Sequence, residues 1–71
     1  MKTLTKETIN YFNECAVELT DCNNQVYKGW FVKVGKYYKL FPFSTIWGTY
    51  SFTLGTIKAI KHLTNNVQIS K

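Results

Sequence analysis

The apolar positions change their period once along the chain. In residues 4–13, LTKETINYFN, Leu4, Ile9 and Phe12 recur at three- to five-residue intervals with Thr5 and Thr8, which predicts a short helix. Thr3 is the expected N-cap, and Glu7 suits the positive end of the helix dipole. So short a helix needs tertiary support and is expected to lie across the end of a barrel. From residue 15 the period is two. Cys15, Val17 and Leu19 alternate with Ala16, Glu18 and Thr20, predicting a half-buried strand over 15–21. Asp21-Cys22-Asn23-Asn24 is a turn cluster of residues that tolerate left-handed backbone. A second strand, 25–34, places Val26, Trp30, Val32 and Val34 on one apolar face interrupted by Lys28, and Gly29 marks a bulge or bend. After a turn at Gly35-Lys36 a third strand covers 37–43, with Pro42 demoting its end to an edge or bulge. A fourth covers 46–54 and ends at the connector Gly55-Thr56. Residues 57–63 fit helical spacing as well as a strand, but Asn65-Asn66 is a hairpin signal, so 57–63 and 67–70 are read as paired strands. The pattern as a whole predicts a mainly β chain, a short N-terminal helix followed by a small barrel of five to six strands.

A chain of 71 residues is one domain, and a domain of that size buries only about 60% of the surface its unfolded chain exposes. Aromatic residues, 17% of the chain, are the available means of filling so thin a core. Cys15 and Cys22 lie about 20 Å apart if the intervening chain is extended, too far for a disulfide, and no C-x-x-C or H-x-H spacing suggests zinc. Two free thiols in a reducing cytosol are expected. Residues 1–20 carry polar and charged groups throughout, with no signal-peptide apolar region, and no run is long enough to span a bilayer. The expected setting is cytoplasmic, without a membrane.

Charge sharpens this picture. All four acids, Glu7, Glu14, Glu18 and Asp21, fall in the first 21 residues, which carry a net −2, whereas residues 22–71 hold seven lysines, no acid and no Arg. An acid-free basic segment suits an anionic partner, although lysines also serve as plain solvated edge protectors. Within it, KGWFVKVGKYYK interleaves Lys28, Lys33, Lys36 and Lys39 with Trp30, Phe31, Tyr37 and Tyr38. Neighbouring strand residues point to opposite faces, so one member of Trp30-Phe31 and one of Tyr37-Tyr38 must face solvent, the helix or a partner. Lys28, Lys33, Lys36, Lys39, Tyr37 and Tyr38 are therefore the expected nucleic-acid-binding residues, Trp30 and Phe31 the expected interface residues, and Gly29 a structural one.

Nothing points to catalysis. His62 is the one histidine, with no triad partner near it in sequence, and Gly29, Gly35, Gly48 and Gly55 are isolated, so no phosphate-cradling loop is formed. No enzyme activity, metal or cofactor is expected.

The order helix, strand, polar turn, strand with a mid-run Gly, then a closing strand pair resembles the Sm-like fold, a variety of SH3-like small barrel, and most nearly its Hfq type. The resemblance covers residues 9–61 and rests on VELTDCNNQVYKG (17–29) and SFTLGTIKAI (51–60). It implies a bent strand at Gly29, ring assembly through edge strands, and a place for Tyr37 near the family's base-stacking aromatic. Asn23-Asn24 stands where the family prefers a Gly, Val34-Gly35-Lys36-Tyr37 replaces its acidic and Asn residues, and Leu54-Gly55-Thr56 stands where Hfq carries its uridine-pocket Lys-His pair. The resemblance thus carries over the fold but not that pocket.

The leading expectation is a small basic regulatory or accessory protein that binds RNA or single-stranded DNA and does no chemistry. The competing one is a protein-interaction module, for example a phage or mobile-element accessory acting on a host or sister protein. A homo-oligomer is compatible with either.

Overall fold

A computed structural model describes residues 3–44 and 48–71, and the chain in it is mainly β. Its strands are β1 (Cys15–Asp21), β2 (Val26–Val34), β3 (Tyr37–Pro42), β4 (Tyr50–Phe52), β5 (Ile57–His62) and β6 (Gln68–Ser70). All pair antiparallel in one sheet of order β4-β3-β2-β1-β5-β6. The order is linear, with β4 and β6 at its two ends, so the sheet is open and the expected closed barrel does not form. At the usual strand spacing six flat strands would span about 24 Å. Yet Val17, Leu19, Phe31, Tyr38, Leu40, Phe52, Ile57, Ile60 and Ile69, drawn from all six strands, share one buried cluster. Only curling of the sheet around its inner face brings them together.

The rest of that core comes from the N-terminus. Leu4, Ile9 and Phe12 are buried in it as their spacing foretold, but the only helix here is a single 3₁₀ turn, Thr8–Phe12, which carries Ile9 and Phe12, and not an α-helix over 4–13. Ile9, Asn10, Tyr11 and Phe12 are middling helix formers, and nothing in so short a segment offsets that. Thr3 does not cap it. Its carbonyl accepts a hydrogen bond from Thr8 Oγ1 at 2.8 Å, while the Thr5 and Thr8 hydroxyls accept each other's backbone N–H groups at 3.1 and 2.8 Å. The helix ends at Phe12 with Asn13 as its C-cap, and Glu14 just beyond sits at φ 59° and gives its N–H to the Phe31 carbonyl at 2.7 Å. A left-handed non-glycine residue costs about 1–2 kcal/mol. Glu14→Gly should relieve part of it and raise the thermal midpoint by a few degrees in a calorimetric scan; a lowered midpoint would show that the Glu side chain outweighs the strain.

Local chemistry sets the turns. At Asp21, Oδ1 accepts the N–H groups of Asn23 (2.8 Å) and Gln25 (3.0 Å) and Oδ2 accepts the Tyr27 hydroxyl (3.1 Å), while Asn24 takes the left-handed position at φ 65°. Burial alone would push the Asp21 carboxyl up, but these donors outweigh it and hold the pKa below 3.8. Burial, followed by the same carboxylate, pushes the Tyr27 hydroxyl above 10.0. Because the folded-state pKa of Asp21 is depressed, its contribution to stability is complete above the unfolded value near 3.9 and disappears as pH falls through the folded one. Asp21→Asn keeps the Oδ1 acceptor but removes the titration. In circular-dichroism melts between pH 2 and 6 it should be less stable at neutral pH and lose less below pH 4; identical acid limbs would contradict this.

The Gly35-Lys36 turn joins β2 and β3 with positive φ at Gly35 only, the form of a type II′ hairpin. Leu54–Thr56 is a 3₁₀ turn at the expected connector before β5. The last hairpin forms at Asn65-Asn66, with the loop widened to residues 63–67. Asn66 is left-handed, and His62 Nδ1 accepts the N–H groups of Thr64 and Asn65, both at 3.2 Å. His62 also packs against the Tyr11 and Phe12 rings, so its role here is to build a turn. β4 is shorter than the expected 46–54, part of which lies outside the described residues. Pro42 pairs with Gly29 but has no β4 partner, since that pairing stops at Leu40, consistent with its expected edge position. β6 is partly covered by the N-terminal segment through a parallel bridge between Thr3 and Ser70. Among the described residues no helix is long and apolar enough to cross a membrane.

A candidate nucleic-acid interface on the outer sheet face

The two-residue turn at 35–36 fixes the β2–β3 register, and that register decides which side chains leave the core. Gly29, Phe31 and Lys33 face inward with Pro42, Leu40 and Tyr38, while Trp30, Val32 and Val34 face outward opposite Phe41, Lys39 and Tyr37. The apolar face expected over Val26, Trp30, Val32 and Val34 is therefore the outer face of the sheet, and the core takes Tyr27, Gly29 and Phe31 instead. The inward face carries no charge until Lys33, whereas Lys28 sits in the middle of the outer one. Both faces are apolar enough that alternation alone does not choose between them.

Gly29 is where β2 lies tight against the β3 backbone, and the register runs through it without a bulge. A Cβ there would lie 2.8 Å from the Phe41 carbonyl carbon and 2.9 Å from the Pro42 Cα, both backbone atoms. Without a side chain there the two strands can lie this close.

Cross-strand rows organise the outer face. Ala16, Trp30 and Phe41 form one row, and Val32, Lys39 and Ser51 a second. Lys61, Glu18 and Lys28 form a third, flanking the first. Trp30 and Phe41 are 45% and 44% exposed although they are directly paired, and Tyr37 and Val34, paired at the end of the hairpin, are exposed as well. Such pairs bring Cβ atoms to about 5 Å. Glu18 is the one acid on this face, with a lysine on each side and Lys28 Nζ at 3.8 Å. The surface offers flat aromatic groups bordered by Lys28, Lys39 and Lys61.

The expected binding residues thus divide. Lys28, Lys39, Tyr37 and Trp30 share the outer face, Lys36 occupies the hairpin tip, and Lys33 projects on the opposite side of the sheet. Phe31 and Tyr38 do not reach the surface. They are 0% and 4% exposed and stack on each other with ring centroids 5.4 Å apart and planes 7° from parallel, so neither can offer a ring face to a partner. Phe41 and Lys61 were not anticipated. Phe41 was within reach of the sequence, because a two-residue turn at 35–36 pairs 34 with 37 and hence 30 with 41. Lys61 was not, since it depends on β5 pairing with β1 across the chain.

Both cysteines are free thiols; Cys22 Sγ donates to the Gly55 carbonyl at 3.2 Å. Among the described residues no group of three or more His, Cys, Asp or Glu is placed to hold a metal ion.

These features define a small antiparallel β domain with an aromatic, lysine-bordered outer face. No protein-family model matches the chain, and no curated protein or solved structure matches it either.

Proposed function

We propose that this chain is a non-catalytic domain that binds single-stranded RNA or DNA on the outer face of its sheet, as a small regulatory or accessory protein. The observation that carries the reading is the exposed Trp30–Phe41 pair in a lysine-bordered surface with a single, flanked acid. Unstacked bases present flat apolar faces next to a phosphate charge, and proteins that bind them without sequence preference combine aromatic platforms with basic tracks. Lysines without arginines suit such backbone tracking better than bidentate base reading.

The Sm-like reading of the fold belongs with this proposal. Strand order β4-β3-β2-β1-β5, the close approach of β3 backbone to Gly29 and the 3₁₀ turn before β5 support it. β6 departs from it by occupying the outer edge of β5, which leaves three-residue β4 and the partly covered β6 as the edges open to another copy. Short edges discourage pairing, so assembly through them is expected to be weak.

Titration of a labelled oligo-dT or oligo-U at several salt concentrations tests the binding. Three lysines on the face predict a slope of about −2 in log affinity against log salt. Absence of binding at low salt would refute the proposal. Exposed Val26 and Val34 extend the apolar patch and favour the second reading, a protein partner. A stoichiometric complex that survives nuclease and high salt would select it.

A further inference from the structure

A second basic feature lies off the outer face. At the hairpin end of the sheet, Lys6, Lys33, Gly35, Lys36, Tyr38 and Leu54 line a pocket of about 230 Å³. Three separate parts of the chain supply the three lysines: the N-terminal segment, the inward face of β2, and the β2–β3 turn. The strand is held at this point, since the Lys33 N–H donates to Asn13 Oδ1 at 2.8 Å. No carboxylate lines the pocket. Glu18 lies on the outer face, Asp21 is engaged by its own turn, and Glu7 lines a different cleft beside Tyr11 and Val67. The one ion pair among the described residues is Lys28–Glu18, so none of the three pocket lysines is ion-paired.

We infer that this pocket binds a phosphate monoester. Three lysines lining one pocket are compact point charges suited to phosphate oxygens. A monoester carries about −1.5 to −2 at pH 7, against the single charge of a backbone diester, so it neutralises the cluster more fully. The half-buried Leu54 provides an apolar side against which the sugar of a nucleotide can rest. The ligand chemistry is then either the phosphorylated end of an oligonucleotide or a free nucleoside monophosphate; the first source rests on the binding mode proposed above, and the second is independent of it.

Three probes separate these sources: a 5′-phosphorylated oligo-dT, the same oligomer with a 5′-hydroxyl, and thymidine monophosphate. Affinities are read by calorimetry and amide shifts by NMR. One charge-assisted contact is worth roughly a tenfold preference. The phosphorylated oligomer should bind about tenfold tighter than the hydroxyl form, and Lys6→Ala should abolish that difference while leaving the hydroxyl oligomer's affinity unchanged. If thymidine monophosphate shifts the Lys6, Lys33 and Lys36 amides saturably while neither oligomer binds, the pocket stands with a free nucleotide as its ligand and the outer-face proposal falls. Equal affinity for the two oligomers with no monophosphate shifts would overturn the pocket and leave the outer face intact. A preference that survives Lys6→Ala would also overturn it.

Discussion

Gly29→Val should leave little folded protein at 37 °C, and Gly29→Ala should lower the thermal midpoint steeply. The reason is the direction a side chain would take. Any Cβ at this position points inward onto the Phe41 carbonyl and the Pro42 Cα, and backbone in the middle of a ladder has no rotamer with which to give way. Overpacking a core costs typically 1–3 kcal/mol and more when the obstacle is rigid. A chain of 71 residues has roughly 4–11 kcal/mol of stability in total. For domains of this size each kcal/mol is worth about 4–8 °C, so 3 kcal/mol from Ala lowers the midpoint by roughly 12–24 °C. The added methyl of Val deepens the clash. Gly35→Ala, where no atom lies within 4 Å of the added carbon, is the control: it carries only the left-handed backbone penalty of about 1–2 kcal/mol. A Gly29→Ala variant that melts with the native protein would mean that β3 backbone does not press on this position.

Removing both Trp30 and Phe41 should abolish nucleic-acid binding without unfolding the domain. The two rings are opposite one another on β2 and β3 and nearly half exposed, so their replacement by Ala opens no core cavity. Surface changes of this kind usually stay within about 0.5 kcal/mol of native stability. Base-aromatic stacking is worth about 1–3 kcal/mol per base, which puts the expected loss for the pair at roughly 30-fold or more. Phe31→Ala is the contrasting case. Its ring is fully buried against Tyr38, and its removal should cost about 3–5 kcal/mol of stability. Filter binding or fluorescence anisotropy of the double variant, beside its melting curve, separates the two roles. Binding that survives in the double variant would mean that the aromatic pair faces some other partner.

The contrast between Trp30 and Phe31 shows what the sequence made legible. That one ring of each aromatic pair must turn outward followed from strand geometry alone, and the structure turns out Trp30 and Tyr37. Which one did not follow, because Val26, Val32 and Val34 made the outer face look as apolar as the inner. The choice came from pairing with β1, where Phe31 meets Cys15 and Gly29 meets Val17, a contact between segments separated by a turn that the local pattern does not encode. Gly29, the turns at Asp21 and Gly35, and the closing hairpin were readable because each depends on the chemistry of a few adjacent residues. The closed barrel and the longer helix were not realised. β6 takes the end of the sheet beyond β5, where Thr3 bridges to Ser70, and the helix is confined to Thr8–Phe12, whose residues are middling helix formers. The basic half of the chain was visible at once, but its division into an outer face with Lys28 and Lys39 and a separate pocket with Lys33 and Lys36 needed the alternation of β2 and the arrival of Lys6 from a distant segment.

The most direct test of the outer-face proposal is an NMR titration with single-stranded oligonucleotide at low salt, following the Trp30 indole N–H and the Phe41 ring resonances. Binding to the outer face predicts saturable shifts of both together, with Lys39 and Lys28 amides moving at the same oligonucleotide concentration and Leu19 and Ile60 in the core unmoved. Trp30 and Phe41 signals that stay in place while the oligonucleotide binds, or no binding at all, would contradict it.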